Sequence, residues 1–74
     1  MSDKLTRQLF AILRKAGRLT RDERVRLYRW IIWRDNITST NDLSTHELEA
    51  IVSQLRTWDQ AGVLASEIEL AVNA

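Results

Sequence analysis

The 74-residue chain contains no cysteine and no proline, one histidine and two glycines. Without thiols there is no disulfide staple and no thiolate to bind a metal, which fits a reducing compartment. His46 alone cannot assemble a zinc centre, which draws its ligands mostly from Cys and His. Neither a metal nor a cofactor is expected. The apolar runs are only a few residues long, against the roughly 20 needed to span a bilayer, so no membrane partner is expected either. The opening "MSDKLTRQLF" carries charge but no apolar h-region, and it does not read as a secretory signal. No Ser/His/Asp set, paired carboxylates or glycine-rich phosphate loop is recognisable, so the expectation is a protein that is not an enzyme. With proline absent, only Gly17 and Gly62 interrupt helical patterning. The expected class is all-α, soluble and cytoplasmic.

A chain this short has room for one small core, which well-packed helices or a partner must support. Its net charge of +1 hides a strong asymmetry. Residues 1–34 carry ten of the eleven basic groups against three acids, a balance of +7. Residues 35–74 carry Arg56 against seven acids, a balance of −6. Such halves either pair internally or serve different partners.

Leu5, Leu9, Ile12, Leu13 and Ala16 recur at the spacing of one buried helical stripe, predicting a first helix over Asp3–Ala16. Gly17 then stands where a left-handed C′ residue belongs. Thr20-Arg21-Asp22-Glu23 is a capping box that starts a second helix at Arg21, expected to run to about Arg34. Val25, Leu27, Tyr28, Trp30, Ile31, Ile32 and Trp33 spread around most of its circumference. That pattern predicts a central helix touched on several sides, with Val25, Tyr28, Ile31 and Ile32 meeting helices 1 and 3. "NITSTNDL" reads as a loop anchored by Ile37. A second capping box, Ser44 to Glu47, flanked by a Leu43/Leu48 staple, opens a third helix to about Gln60, which Gly62 closes. These elements form an expected three-helix domain over 1–62. The remainder, 63–74, reads as a short C-terminal helix that docks or frays, with Ser66 and Glu69 as a weak capping box inside it.

The segment Thr20–Asn36 holds five arginines, two tryptophans and a tyrosine. Arginine among aromatics stacks on bases and pairs with phosphates. The competing reading places these arginines at the borders of a core helix, paired with the acidic half. Interleaved Asp22, Glu23 and Asp35 favour the second. The "GRLT" connection has helix-turn-helix length, but Asp22 lies among the side chains that would meet phosphate. The outer face of helix 1 (Lys4, Arg7, Arg14 and Arg18) is the better electrostatic footprint, extended by Arg21. Trp58 falls on the stripe of helix 3 and is expected in the core. Trp30 and Trp33 cannot both face inward. One of them is expected to be partly exposed as an interface anchor, unless the tail covers it. Trp33 is taken with the five basic residues as the candidate partner-binding set.

"RQLFAILRKAG", "TRDERVRLYRWII" and "STNDLSTHELEAIVSQL" together resemble the small helical module at the C-terminus of phage single-strand annealing proteins of the RecT and Erf kind. They are also similar to the helical region of phage Mu GemA-type regulatory proteins. The resemblance covers about two-thirds of the chain. It implies a phage accessory of DNA recombination or replication, acting in an infected bacterial host. No annealing domain accompanies the module within these 74 residues, and the acidic stretch after Gly62 is additional, so annealing itself is not expected. The expected partner is an acidic protein segment, for example the tail of a single-stranded-DNA-binding protein. The alternatives are direct binding of nucleic acid through the same face, or inhibition of a host protein.

Overall fold

The computed structural model of the chain describes residues 3–73. Four α-helices follow one another: α1 (Asp3–Ala16), α2 (Arg21–Ile32), α3 (Thr45–Gln60) and α4 (Leu64–Asn73). A single 3₁₀ turn, Thr40–Asp42, lies between α2 and α3, and no strand occurs among the described residues. The fold is a small all-α domain, as the patterning predicts.

Each helix begins or ends where its terminal chemistry dictates. At α2 the Thr20 hydroxyl accepts the Glu23 N–H (3.2 Å), and the Glu23 carboxylate accepts the Thr20 N–H (2.9 Å). Ser44 and Glu47 repeat that reciprocal pair at α3. Two orphan amides are satisfied at each start. Gly62, at φ 75°, ends α3 in a Schellman arrangement: its N–H reaches the Asp59 carbonyl, and the Val63 N–H reaches that of Trp58. Gly17, at φ 118°, turns the chain out of α1.

The core gathers one face of every helix. Leu9, Ile12 and Leu13 come from α1, and Val25, Leu27 and Tyr28 from α2. Leu48, Ile51, Val52 and Leu55 come from α3, and Leu64, Ile68, Ala71 and Val72 from α4. The C-terminal segment is therefore docked, with its apolar residues inside the same cluster. Ile37 and Leu43 anchor the connection between α2 and α3.

Five local expectations are corrected. The central helix is α3, not α2: α3 packs against the other three, whereas α2 packs chiefly on α3 and α4. Ile31 and Ile32 accordingly lie only half-buried at the edge of the cluster. Trp58 is likewise half-buried rather than fully interior. Helix α2 stops at Ile32, because Trp33 adopts the left-handed conformation (φ 57°, ψ 37°). The reversal lets the chain bury Ile37 and bring Arg34 to the start of α3. Ser66 and Glu69 fall inside α4 rather than at its start, since the Val63 carbonyl already accepts the Glu67 N–H.

The connection between α2 and α3 is held by polar side chains. Arg29 donates to the Ile37 carbonyl (2.9 Å), and Arg34 donates to the Asp42 carbonyl (2.6 Å). Arg34 also pairs with Glu47 (2.9 Å). The Asp42 carboxylate accepts from the Thr38 N–H, the Thr38 hydroxyl and the Ser39 N–H. These bonds, led by the Thr38 amide, hold its pKa below the ordinary carboxylate value, with the charge of Arg34 adding to them. Tyr28 shares a hydrogen bond with Thr40 (3.0 Å), and burial pushes its phenol pKa up.

Candidate functional site

The arginines of α2 and of the turn that follows it divide by what they touch. Arg24, Arg26, Arg29 and Arg34 all donate to main-chain carbonyls, those of Leu19, Val72, Ile37 and Asp42. The expectation that they pair with the acidic half is met only by Arg34 and Glu47; the other three bond carbonyl oxygens, and that of Leu19 lies in the basic half. Arg34–Glu47 and Lys15–Asp59 are the ion pairs among the described residues. A guanidinium fork suits this task, because it reaches unsatisfied carbonyls at the ends of elements while its stem covers the core.

Lys4, Arg7, Arg14, Arg18 and Arg21 behave differently. All five are exposed, and none makes a hydrogen bond or ion pair among the described residues. At about 100° per residue, Lys4, Arg7 and Arg14 lie within roughly 80° of arc, directly opposite the buried Leu9. At 1.5 Å per residue the three span roughly 15 Å of α1. Half of the ten basic groups of the N-terminal half are thus unengaged among the described residues.

This stripe ends at a cleft in the corner between α1 and α2. Phe10, Leu13 and Leu19 provide its apolar surface, and Arg14, Arg18 and Arg24 surround it, enclosing about 480 Å³. Arg24 is fixed in place: its guanidinium lies 5.6 Å over the Phe10 ring and donates to the Leu19 carbonyl. Its Nε is buried without a partner. Arg14 and Arg18 stand unengaged on the rim. A second groove on the far side of Phe10 places Arg21 beside Arg24 and the Ser39–Asn41 turn. Four of the predicted residues therefore frame one surface, Lys4, Arg7, Arg14 and Arg18, with Arg21 around the corner. Phe10 and Leu19, which shape the cleft together with Arg24, were not among the residues singled out from the sequence. The available signal was Phe10 itself, one turn before Arg14 and about 100° off the centre of the buried stripe.

Trp33 does not join them. It sits at the other end of α2, 90% exposed, lining a groove of about 600 Å³ with Arg26, Arg29, Trp30 and Ala71. Trp30 is also exposed, at 46%, so the expectation of one outward tryptophan is exceeded, and Ala71 of α4 lines the groove beside both.

Among the described residues, no group of three His, Cys, Asp or Glu side chains gathers as a metal site. No helix among them is long and apolar enough to cross a membrane. The chain matches no family model, no curated protein and no solved structure.

Proposed function

We propose that this chain is a non-enzymatic interaction module that receives an acidic protein segment at the α1–α2 corner. The observation that carries this reading is the pairing of an apolar floor with unengaged arginines in one cleft. An apolar side chain of the partner rests on Phe10, Leu13 and Leu19. Its carboxylates meet Arg14 and Arg18 as charge-assisted hydrogen bonds, which are stronger than neutral ones. Arg7 and Lys4 continue the positive track, a length that roughly four or five extended residues would follow at about 3.3 Å each. The resemblance to phage single-strand annealing modules and GemA-type regulatory proteins supports reading this binding as part of DNA recombination or replication. The acidic, apolar-ended tail of a single-stranded-DNA-binding protein has the required chemistry.

The second reading is direct DNA binding, favoured by the unbroken basic stripe on α1. Phosphates would satisfy the arginines but leave the apolar floor uncovered, and Asp22 and Glu23 flank the nearest helix start. Fluorescence anisotropy with a labelled acidic peptide and a labelled oligonucleotide, side by side, separates the two. The expected result is peptide binding that is lost in an Arg14→Glu, Arg18→Glu variant. Tight oligonucleotide binding without peptide binding would reverse the choice. Its affinity would then fall by about 0.7–0.9 log units per neutralised phosphate for each log unit of salt.

A further inference from the structure

Among the described residues, the large apolar side chains left exposed are Trp33 (90%), Leu70 (60%), Trp30 (46%) and Val63 (37%). All four lie on α2, on α4 or at their ends, and these helices are packed neighbours. Single exposed apolar residues need no explanation, but four on one pair of adjacent helices do. Helical spacing makes the surface continuous. Val63, Glu67 and Leu70 fall within roughly 60° on α4, with Ala71 next to them on the side of the tryptophan groove. On α2, Arg26, Arg29 and Trp30 share the outward face.

Trp33 is disfavoured twice by the fold alone. Its left-handed backbone is one that glycine or asparagine adopts readily and a bulky residue does not. Its indole buries almost nothing within the chain. A residue kept against both local backbone preference and hydration points to contact with another surface.

We infer that this face closes on a second copy of the chain, as a two-fold contact between the α2 and α4 helices. A two-fold interface must be complementary to itself, so the same patch has to carry both members of each interacting pair. This one does. It holds Arg26 and Arg29 on α2 beside Glu67 on α4, and this glutamate has no ion-pair partner among the described residues. Across a two-fold axis the arginine side of one copy meets the glutamate side of the other, while the tryptophans and Leu70 form the apolar centre. Charge complementarity also selects among occupants. A polyanion or an acidic peptide would meet Glu67 of α4, whereas the same chain brings the opposite sign to each end. The contact is separate from the α1–α2 cleft and leaves it open in both copies.

Sedimentation equilibrium of the full chain across a concentration series tests this. The apparent mass should rise from the 8.6 kDa monomer toward twice that value. Trp33→Ala should weaken association about thirty-fold, the size of a hot-spot truncation, with the far-UV helical signal unchanged. A Glu67→Lys variant should also associate more weakly, and added salt should restore part of its association by screening the new repulsion. A monomer at every concentration would overturn the inference, as would a dimer indifferent to Trp33→Ala. Saturable oligonucleotide binding that quenches tryptophan emission and requires Trp33, without self-association, would overturn it in favour of nucleic acid.

Discussion

Replacing Trp33 by glycine and by alanine yields a comparison whose sign depends on where α2 ends. Both variants remove the same indole, which is almost fully exposed, so its lost contacts cancel in the difference. Were residue 33 inside the helix, as the apolar run to Arg34 suggests, alanine would be the more stable by about 1 kcal/mol. At φ 57° the balance reverses. The left-handed backbone costs alanine about 1–2 kcal/mol and glycine essentially nothing. Glycine's freedom in the unfolded chain takes back about 0.4–1 kcal/mol. The net expectation is a glycine variant more stable by about 1 kcal/mol. In urea, with a slope of about 1 kcal/mol/M for so small a domain, the midpoints should differ by about 1 M. By heating, the gap should be about 4–8 °C. Far-UV circular dichroism during unfolding reads both, and neither variant carries the indole proposed to drive self-association. An alanine variant equal to or more stable than the glycine variant would refute the assigned end of α2 and the argument that Trp33 is held against its backbone preference.

Leu55 is fully buried on the central helix, so Leu55→Ala should lose about 2–5 kcal/mol by urea denaturation. That is a large share of the about 4–11 kcal/mol expected for a chain of this length, and a loss under about 1 kcal/mol would contradict its placement. Ser44→Ala should destabilise by about 1 kcal/mol, and Ser44→Asp should recover most of it; equal stability of all three would mean that the cap does not hold the start of α3. The Asp42 carboxyl has its pKa lowered in the folded state, so its contribution is present above the ordinary carboxylate range and is lost as pH falls through the folded value. Asp42→Asn should therefore flatten the decline of melting temperature below about pH 4, while an unchanged acid limb would remove Asp42 from the pH response.

The charge separation acquires a physical meaning once the partners of each arginine are known. Arg24, Arg26, Arg29 and Arg34 are committed to carbonyls that end or connect elements, and they hold the fold together. Lys4, Arg7, Arg14, Arg18 and Arg21 have no such commitment among the described residues. A count of basic residues merges these two groups, although only the first is tied into the fold by hydrogen bonds. The acidic half divides in the same way: Glu47, Asp42 and Asp59 are engaged, whereas Glu67 and Glu69 are not.

What the amino-acid sequence determined by itself was everything that rests on local chemistry. The capping boxes at Thr20 and Ser44, the glycines at 17 and 62 and the stripes of α1, α3 and α4 each depend on contacts within a few residues. Their signals survive in linear order, and the four helices follow from them. Tertiary structure decided what depends on neighbours distant in the chain. The apolar residues of α2 suggested a central helix, yet α3 occupies the centre, because α4 docks beside α2 and leaves the outer face of α2 uncovered. Trp33 continued an apolar run, but burying Ile37 and bringing Arg34 to Glu47 required the backbone to reverse there. The same packing set Trp33 apart from the basic stripe and assembled Phe10, Leu19 and Arg24 into a cleft. A helical period can say which residues share a face; only the packing of that helix against the others decides whether the face meets core or water.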